Sequence, residues 1–176
     1  MNATPPPPSP GDLAVEMVRS FVGCSLSARR DELAALVCFP GDEPAVDVTI
    51  RTNCAMFALG IWRALGCKHP LLLGKYKIGM AMWWADVIAR AAGASYSRKA
   101  YPSAQPYPGD VMHYCGAPGT DHLEFCLTWP NPYLIDHAGA GRANNAVTES
   151  AAPSDYRSNA GRPLVAIYRT SEICRA

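Results

Sequence analysis

Apolar residues recur at helical spacing in the first half of the chain and at alternating spacing in the second. Leu13, Val15, Met17, Val18 and Phe21 predict a first helix, capped by Asp12 and stopped at Gly23. A shorter helix is predicted over residues 31–38, ended by Phe39-Pro40-Gly41. The third starts at Cys54, where polar Thr52-Asn53 gives way to an apolar run, and reaches about Leu65. Ala55, Ala58, Leu59 and Trp62 form its stripe, and Gly66 follows its end. A fourth is predicted over residues 80–92, where adjacent Trp83 and Trp84 cannot both face one core. After Gly93 a loop through Tyr101-Pro102 and Gln105-Pro106-Tyr107-Pro108-Gly109 leads into predicted strands at residues 110–114, 122–127, 133–137 and 164–169. Helices first and strands afterwards is an α+β order with a mostly antiparallel sheet.

Length and composition place limits on this picture. A chain of 176 residues with 49% hydrophobic content buries a sizeable core as one domain. That domain is assigned to residues 11–176; the proline tract in residues 1–10 favours polyproline II and is a flexible lead. Net charge is +1 with 18% charged residues, which argues against a nucleic-acid or membrane surface. Seven cysteines, an odd number without regular spacing, are expected to be reduced thiols. The N-terminus lacks the charged and apolar regions of a Sec signal, and no apolar run is long enough to span a bilayer. The expected site of folding is the cytoplasm.

Against that background Cys54 stands out. A helix N-terminus carries partial positive charge and unpaired N–H groups, which lower a thiol's pKa and offer oxyanion donors. A general base is available downstream at His122, in a segment where His122, Glu124 and Cys126 share one strand face and Leu123, Phe125 and Leu127 the other. His137 closes the next strand; an antiparallel hairpin turning at residues 128–132 would bring it beside His122 as the orienting residue, with Asp136 its nearest rival. Cys24, Cys38, Cys67, Cys115, Cys126 and Cys174 read as structural thiols, and His69 and His113 as structural or exposed.

The blocks Asn53-Cys54-Ala55-Met56-Phe57, Trp62-Arg63-Ala64-Leu65-Gly66, Pro108-Gly109-Asp110-Val111, His122-Leu123-Glu124-Phe125 and Ile135-Asp136-His137-Ala138 resemble those of NlpC-type cell-wall cysteine peptidases, related to the CHAP families. The resemblance implies a papain-like fold with the nucleophile at a helix start, catalytic Cys54, His122 and His137, and hydrolysis of amide bonds in peptidoglycan stem peptides through a thioester. It departs from the family where Asp-Cys-Ser-Gly becomes Asn53-Cys54-Ala55-Met56, and where no tyrosine-and-glycine block precedes the nucleophile. The expected partner is peptidoglycan or a short peptide, with no cofactor and no metal; without a Sec signal the alternatives are delivery by lysis, delivery by dedicated secretion, or a cytosolic peptide substrate, and no secretion-machine or inhibitor partner is identified. Trp83, Trp84, Tyr101 and Tyr107 are expected to wall a substrate groove. Competing readings are a thiol-dependent acyltransferase, a non-catalytic binding module on the same fold, and a metal site of His113, Cys115, His122, Cys126 and His137.

Overall fold

The computed structural model describes residues 6–23, 30–37, 54–73, 81–116, 121–131, 134–142, 146–152 and 162–176. Its helices are α1 (Pro10–Phe21), α2 (Arg30–Val37), α3 (Cys54–Ala64), α4 (Pro70–Leu73), α5 (Ala81–Ala91) and α6 (Thr170–Ile173). The strands are β1 (Ser95–Ser97), β2 (Val111–Tyr114), β3 (His122–Asn131), β4 (Leu134–Arg142), β5 (Ala146–Ala152) and β6 (Leu164–Tyr168). They form one six-stranded sheet in the order β1-β6-β2-β3-β4-β5, with every neighbouring pair antiparallel. The α+β order expected from the sequence is the one observed.

The cap of α1 differs from the sequence expectation. Ser9, not Asp12, is the N-cap: its hydroxyl accepts the Asp12 N–H while the Asp12 carboxylate accepts the Ser9 N–H, a reciprocal capping box with Pro10 in the first turn. The folded part therefore begins inside the proline-rich lead, at residues placed there by the cap. Helix α1 then presses on the turn before β2. Gly109 has φ +84°, and a Cβ on it would come within 2.2 Å of the Gly11 carbonyl oxygen, so this approach requires glycine.

Helix α3 is buried on nearly every side from Ala55 to Trp62, more than the predicted stripe. It lies between α1, α2 and α5 and one face of the sheet, where Phe57 meets Phe21 and Phe125 edge-on at 5.8 and 6.2 Å. Its C-terminus closes as expected: Gly66 has φ +77° and Cys67 N–H reaches back to the Trp62 carbonyl. The sheet's helix-covered face carries Val111, Leu123, Phe125, Leu127, Ala166 and Tyr168. The opposite face carries Met112, Tyr114, Cys126, Leu164 and Ile167.

Three further expectations are corrected. Strand β3 runs on to Asn131 and pairs with Leu134, so no turn occupies residues 128–131. Strands β1 and β5 and the one-turn helices α4 and α6 were not predicted from the sequence. Cys67 and Cys174, expected as reduced thiols, form a disulfide spanning 107 positions and joining the end of α3 to α6, with Cα atoms 4.1 Å apart. Cys24 and Cys38 lie outside the described residues. Among the described residues no helix is long and apolar enough to cross a membrane.

Candidate active site

Cys54 is the first residue of α3, placed there by the change from polar to apolar sequence that starts the helix. The His122 imidazole and the Leu123 and Ala55 backbone amides surround its thiol and favour the thiolate. Burial alone would raise its pKa, but the His122 hydrogen bond and charge, with the two amides, outweigh it and bring the thiol below its ordinary value.

The strand's hydrogen-bond alternation explains why the Leu123 amide is available. Cys126 N–H donates to the Asp110 carbonyl and its own carbonyl accepts from Gly109, so the even-numbered residues of β3 bond towards β2. Leu123 N–H therefore points to the β4 side. The register of β4 on β3 reaches only to the Phe125–Ala138 pair, and the Cys54 sulfur sits beyond it. Helix α3 packs on the Leu123, Phe125 and Leu127 face, with Cys54 against the same cluster; His122, first residue of β3, begins the alternate row.

His122 is 9% exposed, and its Nε2 lies 3.0 Å from Glu124 Oε1, whose side chain is fully buried. With Nε2 committed to the carboxylate, Nδ1 is the ring nitrogen left for the thiol. Glu124 sits two residues along the same strand face. The sequence contained that relation in the His122-Leu123-Glu124 alternation, without indicating that the two side chains would bond to each other.

His137 is placed elsewhere. Its Cα pairs with Cys126, four residues along β3 from His122, which is about 13 Å at strand rise. The register does not bring the two histidines together, and Asp136, opposite Thr128, is further still. The side chains of β4 are outside the description.

The four expected groove residues are also separated. Trp83, 52% exposed, walls a cleft between α5 and the sheet; the Trp84 ring, 4.7 Å from it, packs against the core. Tyr107 lies at a second cleft beside the start of α1 and stacks on the Arg169 guanidinium at 4.0 Å; Tyr101 rests on Tyr96 at 5.4 Å. Arg169 in turn bonds the buried Asp110 carboxylate and the Gln105 carbonyl. These tyrosines belong to a clamp that fixes residues 104–110, and they do not form one wall with Trp83.

Sequence reasoning left His113 among structural residues. It occupies the centre of a polar chain: Asp121 Oδ1 is 2.7 Å from its Nε2, the Tyr168 hydroxyl 2.8 Å from its Nδ1, and Tyr168 also reaches Asp86 Oδ1 at 3.1 Å. Among the described residues no group of three or more His, Cys, Asp or Glu is arranged to hold a metal ion. No protein-family model, curated protein or solved structure matches the chain significantly.

Proposed function

We propose that the chain is a cysteine peptidase or amidase with an NlpC-type, papain-like arrangement, cleaving amide bonds in peptidoglycan stem peptides. The observation that carries this reading is the Cys54–His122–Glu124 array at the start of a helix, with the thiol's pKa brought down by its imidazole. Cys54 attacks the scissile carbonyl as thiolate, and the first-turn amides of α3 receive the developing oxyanion. His122, holding the thiol's proton on Nδ1, passes it to the leaving amine as the tetrahedral adduct collapses to a thioester. Water, deprotonated by the same imidazole, then releases the acid and restores the thiol.

We assign the orienting role to Glu124 in place of His137, since its buried carboxylate already lies on Nε2 of His122, and His137 pairs four residues further along the strand. A buried carboxylate on Nε2 fixes the ring and stabilises the imidazolium. The Cys67–Cys174 bridge supports work in an oxidising compartment, where disulfides persist, and so delivery out of the cytoplasm.

The test is incubation with purified peptidoglycan and with muropeptides, followed by mass spectrometry of released fragments. The expected result is new amine and carboxyl termini within stem peptides, absent with the Cys54→Ala variant. Cleavage of casein with no action on muropeptides would overturn the cell-wall substrate.

A further inference from the structure

The cleft walled by Trp83 has a volume of about 490 Å³, within the range of small-ligand sites, and it lies on the helix-covered side of the sheet. Its floor follows a single row across the strands: Ser97 pairs with Ala166, Ala166 with His113, and His113 with Leu123. The Leu123 amide is one of the two backbone amides that favour the Cys54 thiolate. From Ser97 to Leu123 is three strand spacings, about 14 Å, or roughly four residues of extended peptide. The cleft and the nucleophile therefore occupy one line.

What the cleft can bind follows from which of its polar groups are uncommitted. The acceptors are in use. Asp86 takes the Tyr168 hydroxyl on one oxygen and Arg90 Nε, at 2.7 Å, on the other. Asp121 is bonded to His113 and to the Cys115 thiol; against burial, these bonds hold its carboxyl below the usual range. The chain Asp121–His113–Tyr168–Asp86 contains three contacts between two carboxylates.

The donors, by contrast, are open. Arg90 is bonded only through Nε among the described residues, so its two Nη groups face outward; its side chain is 68% exposed. Nor do the Trp83 indole N–H and the Ser97 hydroxyl donate a hydrogen bond among the described residues. A planar cationic fork beside a half-exposed aromatic, with its own carboxylate partner behind it, matches a carboxylate.

We infer that this cleft binds the carboxylate of a short peptide, with Arg90 as its anchor, about three to four residues from the bond that Cys54 attacks. Trp83 packs on the intervening peptide and Ser97 supplies a backbone or carboxylate contact. The inference rests on the hydrolase reading for the bond attacked, but not for the binding itself.

The experiment uses the full chain carrying Cys54→Ala, so that binding is read without turnover. Acetyl-tetraalanine with a free C-terminal carboxylate is titrated against its C-terminal amide, followed by calorimetry and by Trp83 fluorescence, with Trp83→Phe identifying the signal. The acid is expected to bind about tenfold more tightly than the amide, and Arg90→Gln to remove that preference, with Arg90→Lys restoring part of it. Equal binding of acid and amide, binding of neither, or a preference that survives in Arg90→Gln would overturn the proposal. Failure of the hydrolase reading appears separately, as absence of stem-peptide cleavage by a chain that still discriminates acid from amide.

Discussion

Two histidine–carboxylate pairs lie on neighbouring strands of this sheet, His122–Glu124 on β3 and His113–Asp121 across β2 and the residue before β3. Each has one ring nitrogen within about 3 Å of a carboxylate oxygen. They differ in what sits on the other nitrogen. For His122 it is a thiol whose pKa is lowered; for His113 it is the Tyr168 hydroxyl, pushed far up by burial and by the Asp86 carboxylate. A phenol that keeps its proton and donates a hydrogen bond to a carboxylate holds a structure together, whereas a thiol that yields its proton to the imidazole is a nucleophile. An imidazole–carboxylate pair thus defines no chemistry until its third partner is known.

The comparison is broken most forcefully by removing each imidazole. His122→Ala is expected to lower turnover by about 10⁴-fold, and His113→Ala by less than about tenfold. Comparable losses from both, measured on the same muropeptide, would erase the distinction. Glu124→Gln keeps the volume and one hydrogen bond but removes the charge; a loss of about 10²–10³-fold in kcat, larger than in KM, is expected. Full activity in Glu124→Gln combined with inactivity in His137→Ala would return the orienting role to His137.

Asp110 sharpens the contrast as a buried carboxylate with no histidine. Burial pushes its carboxyl up to about 6, against the pull of the Tyr107 amide and of Arg169. The native state therefore holds a proton there between about pH 4 and pH 6 that the unfolded chain has released. Its contribution to stability is fully present below about pH 4 and declines as pH rises through about 6, by roughly 2–3 kcal/mol. Asp12 and Asp121, both lowered, act in the opposite sense and lose stability towards acid. Denaturant melts of wild type and Asp110→Asn at several pH values isolate the Asp110 share; parallel curves for the two proteins would refute it. The smallest effect is expected from Tyr168→Phe, which removes two hydrogen bonds beside His113 and costs about 1–2 kcal/mol while leaving the alkylation rate of Cys54 unchanged.

The sequence showed Cys54 because a polar-to-apolar switch is visible in one dimension, and His122 because strand alternation marks its face. Glu124 shared that face, yet its bond to His122 depends on two side chains turning towards each other along the strand, which periodicity does not encode. Thr128-to-Pro132 has the composition of a turn, yet β3 runs on to Asn131, so hairpin register is not legible from composition here. Strand β5, Ala-Val-Thr-Glu-Ser-Ala-Ala, has none of the aromatic residues that mark strands, and its edge position asks for none. The Cys67–Cys174 bridge joins positions 107 apart, a relation only the folded chain reveals. Ser9-Pro10-Gly11-Asp12 has the spacing of a capping box, a signal that the surrounding prolines obscure.

The central claim is that the His122 imidazole makes Cys54 a nucleophile, and iodoacetamide labelling with peptide mapping, run from about pH 5 to pH 9, tests it directly. In the wild type Cys54 should react before Cys115, whose thiol is pushed up by burial and by Asp121, and before buried Cys126. Its labelling midpoint should lie below the ordinary thiol range and rise towards it in His122→Ala. A Cys54 profile that is the same with and without His122, or a Cys115 that is labelled first, would contradict the account.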